Sequence, residues 1–598
     1  MGIAGWIDYN YDLRTEEKII GKMVEQLKKP GLAESTKYIG INVVFVEQGR
    51  TQNKMLHTIN NKEYIIAFDG EIFNKKELKE ELNITTDNDA EIAVNAFHVW
   101  QEECADKLNG VFSFAVWQEE NKKLFFIRDR IGVKPLFYYP YNGGIVFGSE
   151  LKVLLAHPGI KHVINKEGLS ELLLLGPGRT EGCGVIKGIA EVLPGEFINY
   201  EESGISKHKY WDLIAKEHED NLNETIEHTR FLVKDALERQ LEGKTSVCSM
   251  LSGGLDSSIM AKLMSDYYKS QGKRQIVTYS VDYVDNEKYF EKSSFQPNQD
   301  NEFIDIMIKN INSVHNKVVI DNEKLAFSLY EAVDARDLPG MADIDSSLLL
   351  FAREIAKDYK VAVSGECSDE IFLGYPWYHN EEILYKECFP WAPTNELRKE
   401  IIKENVFDDF EEYSNEKYIE TINETSKLET DSKKDARMRE MFRLNFYWFM
   451  QTLVDRGDRM ASSSGLDIKM PFCDYRIVEY AYNVPFEYKA LNGREKGLLR
   501  EAVKDILPDE IVNRKKSPYP KTHNPEYLKA VTTMFNNAIG SKNSILYELI
   551  NIEKVLEIAG NPNLVTKPWY GQLMRAPQMI AYLVQLDYWF NKYNVNIE

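Results

Sequence analysis

Ser252-Gly253-Gly254-Leu255-Asp256-Ser257-Ser258 sits between the apolar run SVCSMLS (246–252) and a helical stretch beginning near Ile259. Small residues there let the backbone curl so that successive N–H groups and the helix N-terminus face one anion. The hydroxyls of Ser252, Ser257 and Ser258 add donors. The loop reads as a pyrophosphate cradle rather than a Walker loop, which needs GxxxxGK[ST]. Asp256 would repel a bare phosphate, so its place inside the loop suits a ligand for phosphate-bound Mg²⁺. The plainer alternative is a Ser/Gly turn that caps a helix. The strand-loop-helix context favours the cradle.

A second loop of the same kind, Ser364-Gly365-Glu366-Cys367-Ser368-Asp369-Glu370 followed by Gly374-Tyr375, ends the apolar run KVAV (360–363). By itself it would read as an acidic helix start. In a parallel α/β sheet, however, both loops emerge at the carboxyl edge, where ligands bind. Asp256 and Asp369 would then hold one or two Mg²⁺ between them, with Glu366 as a base.

Outward from these loops the texture is strand-helix alternation from about residue 209, with IVTYSVDY (276–283) a further strand, which implies a parallel sheet covered by helices. Before about 200 the chain reads mostly as strands: INVVFVE (41–47), EYIIAFDG (63–70), VFSFAVWQ (111–118), KLFFIRD (123–129), GGIVFGS (143–149) and GEFINYE (195–201), with helices near 12–29 and 88–108. That is an α+β layering. Two domains are expected, 1–208 and 209–598, and the polar stretch 394–440 reads as a solvated helical face. A chain of 598 residues exceeds what one core supports, and 43% hydrophobic with 28% charged residues is ordinary globular composition.

Lys+Arg total 73 against 94 Asp+Glu, a net charge of −21 and the wrong sign for wrapping nucleic acid or clinging to anionic lipid. No segment approaches the ~20 apolar residues of a membrane span. Six scattered cysteines without a CxxC pair read as reduced thiols of a cytoplasmic protein.

Several ordered stretches resemble the glutamine-hydrolysing asparagine synthetase family: LNGVFSFAVW (108–117), RDRIGVKPLFY (128–138), FGSELKVLLAHP (147–158), DLPGMADIDSSLLLF (337–351), SGECSDEIFLGYPWYH (364–379), DRGDRM (455–460), REKGLLREA (494–502) and NRKKSPYPKTH (513–523). The resemblance implies an N-terminal glutaminase-type domain of the Ntn-hydrolase fold, followed by an ATP-pyrophosphatase synthetase domain of the PP-loop type. Such enzymes adenylate a carboxylate, release pyrophosphate and let an amine attack the acyl-adenylate. By resemblance, Leu251, Val281, Ser364 and Gly365 contact the nucleotide, Asp256 and Asp369 ligate Mg²⁺, and Glu366 serves formation of the intermediate. Lys496 neutralises charge as pyrophosphate departs. Asp343, Asp345 and Tyr375 are placed near the acceptor. A homodimer through the first domain is implied as well.

The departures lie in the first domain. Gly2 stands where the family has its nucleophilic cysteine. Lys28-Lys29-Pro30-Gly31-Leu32 replaces His-Arg-Gly-Pro-Asp. Asn42 falls at the arginine that grips the glutamine carboxylate, and Asp69, before Gly70, replaces the asparagine of the oxyanion hole. Asp89 remains where the glutamine amine binds. Residues 1–208 are therefore expected to be glutaminase-dead, so the nucleophile would be free ammonia, ammonia from a partner protein, or a substrate amine. Relatives with dead first domains, of the β-lactam synthetase and lasso-cyclase types, close an amide within one substrate. A non-catalytic pseudo-synthetase would show damage at Asp256, Glu366, Asp369 or Lys496, and all four are intact. A PP-loop nucleic-acid modifier is opposed by the acidic charge. Two further departures bear on the pocket: Leu373 replaces a usual glycine, and EGKTSVCS (242–249) replaces a Ser-Asp-Val-Pro lead-in.

Overall fold

A computed structural model describes residues 2–50, 52–141, 143–272, 275–290 and 298–598, so Met1 of the opening segment lies outside the described residues. The chain forms two compact units. Residues 1–169, 180–212 and 593–598 make the first, and residues 170–179 and 213–592 the second. The expected cut at 208/209 is thus replaced by one at 212/213, with a short segment exchanged at each end. The local reason is visible. The strand Gly204–Lys209 pairs back onto Glu196–Glu201 as far as Lys209, and Trp211, 7% exposed, stays with that hairpin.

The first unit stacks two six-stranded antiparallel sheets. Alternating apolar residues of their facing sides, among them Ile3, Phe45, Ile65, Trp117, Phe126 and Phe147, form one core. The outer side of the second sheet turns Phe68, Phe112 and Phe114 toward the helix Asp89–Trp100, which buries Ile92, Val94 and Phe97. The helix Glu17–Leu27 covers the strand Gly2–Asp8 on the other side. The strand Lys62–Ile72 needs glycine at position 70, because a Cβ there would lie 2.1 Å from the Val111 carbonyl oxygen of the neighbouring strand.

The second unit is built on a five-stranded parallel sheet. Val247–Met250 is central, with Val277–Tyr283 and then Val314–Ile320 on one side, and Val361–Val363 and then Asp467–Lys469 on the other. The chain reverses its travel across the sheet after 314–320. The loops that follow 247–250 and 361–363 flank that point of reversal, the place where open α/β sheets hold ligands. Helices Asp343–Ala356 and Gln451–Ser463 cover one face through Leu349, Ala352, Ile355 and Met460.

The polar stretch 394–440 is only partly a solvated face. Its helices Glu396–Ile401 and Lys433–Leu444 bury Arg398, Arg437 and Arg439, whose guanidinium groups are paid for by specific partners. Arg398 donates to the carbonyls of Leu173 and Trp569 at 3.1 and 3.0 Å and lies over the Trp569 ring. A charge run hides such arginines because its sequence carries no trace of the acceptors. All six cysteines are free thiols. No helix among the described residues is long and apolar enough to cross a membrane.

Candidate active site

The helix Leu255–Ser270 starts at the end of the central strand without a side-chain cap at Gly254, so no capping side chain competes with an anion for its first-turn N–H groups. Gly253 takes φ +70°, and a Cβ there would approach Ile304 N to 2.8 Å, so the curl requires glycine. The Ser257 hydroxyl accepts from Ser252 N at 3.1 Å and donates to the Gly254 carbonyl at 3.2 Å, which holds the loop closed on itself. Ser258, expected to add a third hydroxyl, is fully buried behind the first helical turn and does not line the cavity.

The second loop packs so closely on the first that a Cβ on Gly365 would lie 2.7 Å from Ser257 N. This approach brings Asp256 and Asp369 to one ammonium group. Lys496, 1% exposed, places Nζ 2.5 Å from Asp256 Oδ2 and 2.6 Å from Asp369 Oδ1. Lys516 Nζ lies 2.9 Å from Asp369 Oδ2, and the Ser368 hydroxyl donates to Asp256 Oδ1 at 2.8 Å. Burial alone would raise the Asp369 carboxyl. The two ammonium groups outweigh it and hold the group down at about 2. Burial likewise opposes the charge on Lys496, and Asp256 and Asp369 overcome it, so its pKa is raised. Next in the chain, Glu370 is pushed up to about 7 by burial and by the charge of Asp369, and it accepts from the Tyr375 hydroxyl.

Strain gathers around these carboxylates. Cys367, Leu373 and Lys496 all take positive φ, and a Cβ on Gly374 would lie 1.9 Å from Asp369 Oδ1. A left-handed leucine costs roughly 1–2 kcal/mol. Complete burial of the Leu373 side chain, which is 0% exposed, offsets this with roughly 1.5–3 kcal/mol. The position therefore tolerates leucine where glycine is the easier fit.

One cavity joins the two loops. It is lined by Leu251, Ser252, Gly254, Asp256, Ser257, Val281, Ser364, Gly365, Glu366, Asp369 and Tyr375, and its walls include Tyr279, Phe351, Phe449 and Leu453. Glu366 is ion-paired with Arg456, whose guanidinium lies over the Tyr519 ring. Glu366 Oε2 and Arg456 Nε are buried and have no hydrogen-bond partner among the described residues. Asp343 and Asp345 do not line this cavity. They sit buried in the first turn of the helix 343–356, where Gln578 donates to Asp343 at 3.1 Å and Met341 N donates to Asp345 at 2.9 Å. Sequence reasoning passed over Arg456, Glu370 and Lys516. The first and last lie inside the quoted stretches DRGDRM and NRKKSPYPKTH, where only spatial neighbours single out one cation.

In the first unit, Gly2 pairs with Gln48 across the antiparallel ladder and Ile3 with Glu47. A Cβ on Gly2 would meet Leu27 Cδ2 at 3.1 Å, with Ser149 Oγ and Glu150 Oε1 at 3.9 Å. Glu150 is held by Lys29 and Lys152, each at 2.6 Å. Asp69 is 2% exposed and receives a long hydrogen bond of 3.5 Å from Ser149, while its Oδ1 has no partner among the described residues. Burial, with the charge of Asp69 as a lesser contribution, pushes Glu47 up to about 7. Asp89 accepts from Ile72 N and from Lys75, at 2.7 and 2.8 Å. Asn42 is not part of this neighbourhood. The ladder places Val43 opposite Ile7, and the Asn42 amide donates to the Asp8 carbonyl at 2.9 Å, the far end of the strand from Gly2, roughly 20 Å away at ~3.3 Å per residue. The register thus sets Asn42 apart from Gly2, and the structure does not bring the two together.

Residues 228–591 match the asparagine synthase family, more than half of the chain. The chain belongs to the asparagine synthase family. Residues 1–211 match the glutamine amidotransferase domain family. Asparagine synthetase [glutamine-hydrolyzing] 3 of Bacillus subtilis is 42% identical over 100% of this chain and 99% of its own length. Asparagine synthetase [glutamine-hydrolyzing] 1 of the same organism is 27% identical over 76% of each. A solved structure, the glutamine phosphoribosylpyrophosphate amidotransferase from B. subtilis complexed with ADP and GMP, is 12% identical, covers 54% of this chain and 81% of that one, and has a TM-score of 0.27, too slight a likeness to carry an argument. Membership makes the protein a carbon–nitrogen ligase with an Ntn-type amidotransferase unit followed by a PP-loop unit, and ATP-dependent amide ligation is the family's reaction.

Proposed function

We propose that the second unit activates the side-chain carboxylate of a small α-amino acid, aspartate or a close analogue, as an acyl-adenylate, and that the amine completing the amide does not come from glutamine hydrolysed in the first unit. The observation carrying the first part is the pair of unpartnered buried atoms, Glu366 Oε2 and Arg456 Nε, in the cavity that also holds both strand-end loops. An acceptor beside a donor complements a zwitterion. An α-ammonium group would meet Glu366, and an α-carboxylate Arg456.

The adenosine would occupy the stretch lined by Leu251, Tyr279, Val281 and Phe351, with the phosphates at the uncapped start of the helix 255–270. A substrate carboxylate oxygen attacks the α-phosphorus and pyrophosphate leaves with the bridging electron pair. The amine then attacks the acyl carbon, AMP leaves, and the surplus amine proton passes to the departing phosphate or to water. Lys496 and Lys516 meet the negative charge that grows on the departing pyrophosphate. The residues fit a divalent cation as well, since Asp256 and Asp369 already converge on one cation, the Lys496 ammonium. Bound there with the nucleotide, Mg²⁺ would neutralise phosphate charge.

The second part rests on Gly2, which offers no nucleophile, and on Asp69, which sets a carboxylate where an oxyanion would develop. The test is pyrophosphate release with aspartate and ATP in the presence of ammonium, glutamine or neither. Release with ammonium and with glutamine alike, accompanied by glutamate, would overturn the glutaminase-dead reading. Formation of ADP and phosphate would overturn adenylation, and release with neither nitrogen source, yielding a cyclic amide, would favour intramolecular closure.

A further inference from the structure

Each oxygen of the carboxylate pair faces a group of the protein, although Asp369 Oδ1 has an ion pair and no hydrogen bond among the described residues. Asp256 Oδ1 receives the Ser368 hydroxyl and Oδ2 the Lys496 ammonium, while Asp369 Oδ1 meets the same ammonium and Oδ2 that of Lys516. Lys496 is held in place by more than its charge. It occupies a left-handed backbone position, φ 55°, immediately before the helix Gly497–Val503, and its side chain is 2% exposed. Lys516 has a looser setting, 17% exposed, with its ammonium 4.8 Å from the Tyr375 ring. Two carboxylates and two ammonium groups make the corner neutral. A divalent ion entering alone would leave two uncompensated positive charges in a poorly solvated place, beside two lysines that repel it. An ion that arrives with ATP brings four negative charges. The lysines then have phosphate oxygens to turn to, and the carboxylates are freed for the metal.

From this arrangement we infer that Lys496 and Lys516 close the Asp256–Asp369 pair to free divalent metal, so that the metal enters only with the nucleotide, and the two lysines pass from carboxylate to phosphate as it does. The inference rests on the ATP reading above and adds an order of binding to it. It gives Lys516, which also meets the departing phosphate, an earlier task at Asp369.

The experiment uses the full chain and Mn²⁺ as the probe, with the free ion followed by electron paramagnetic resonance. Without nucleotide, the wild-type protein is expected to show no Mn²⁺ site that Asp369→Asn removes, whereas with ATP it takes up Mn²⁺ and nucleotide together. Lys496→Met with Lys516→Met is expected to bind Mn²⁺ at least about tenfold more tightly without nucleotide, since two repelling charges are gone. Should that pair of changes impair folding, Lys516→Met alone, at the more accessible lysine, is expected to give a smaller strengthening of the same sign. Wild-type protein that binds Mn²⁺ without nucleotide as tightly as the variants would overturn the inference while leaving the ATP reading intact. Failure to take up Mn²⁺ even with ATP would overturn the ATP reading, and this inference with it.

Discussion

At the edge of the parallel sheet, Asp256 and Asp369 lie against Lys496, Lys516 and Ser368, and the surrounding backbone keeps its strained positions at Cys367, Leu373 and Lys496. At the start of the antiparallel sheet, Asp69 keeps a buried oxygen without a partner among the described residues, and Glu47 nearby holds its proton up to about pH 7. Both places crowd carboxylates into a protein interior. In the first, cations compensate them and glycines at 365 and 374 are kept where a single methyl would collide. In the second, the residue the chemistry would turn on is a glycine with Leu27 pressed against it. The difference lies in what faces each buried carboxylate: Asp256 and Asp369 meet two ammonium groups, whereas Asp69 receives one long hydrogen bond from Ser149.

Removing either carboxylate of the Asp256–Asp369 pair should break the comparison most sharply. Asp256→Asn or Asp369→Asn is expected to lower pyrophosphate release by about 100-fold or more. A near-normal rate would show that the balanced corner is structural. Gly374→Ala is expected to reduce release by a comparable factor while the protein stays folded, because the added methyl displaces Asp369 from 1.9 Å away. Circular dichroism alongside the assay separates that result from general unfolding.

A smaller effect sharpens the other side. The folded protein keeps a proton on Glu47 between about pH 4.5 and 7 that the unfolded chain has released, so this group costs stability progressively as pH rises through that window and by a constant amount above it. The cost is about 3 kcal/mol at most. Glu47→Gln is expected to abolish it, so the variant should gain thermal stability over the wild type at pH 8 and much less at pH 5. An equal difference at both values would place the ionisation elsewhere. The smallest expected change is in glutamine chemistry. Gly2→Cys is expected to leave glutamate release near background, since Asp69 still opposes an oxyanion and Leu27 crowds the new side chain. Robust release would show that Asp69 is tolerated in a working glutaminase.

The two strand-end loops are legible in sequence because an anion cradle has a local requirement: small residues, hydroxyls and one acid between a strand and a helix. The sheet strands 247–250, 277–283 and 361–363 announce themselves through short apolar runs, whereas Val314–Ile320 and Asp467–Lys469 do not, since half-exposed and very short strands carry little pattern. Lys516 and Arg456 escape for a different reason. Nothing in a charged stretch tells which cation folds back to a carboxylate ninety or more residues away in the chain. Asn42 shows the opposite failure. Position along a ladder is settled by pairing, which the residues around Asn42 do not by themselves reveal.

The strand Asn596–Ile597 pairs in parallel with Val163–Ile164, and residues 593–598 belong to the first unit. On the ribosome, therefore, the unit that begins emerging first has to wait for a piece that is translated after the whole nucleotide-binding unit. Its sheets can assemble early, but its last pairing is made late. A nascent chain stalled anywhere in between would carry an amidotransferase fold with one edge still open.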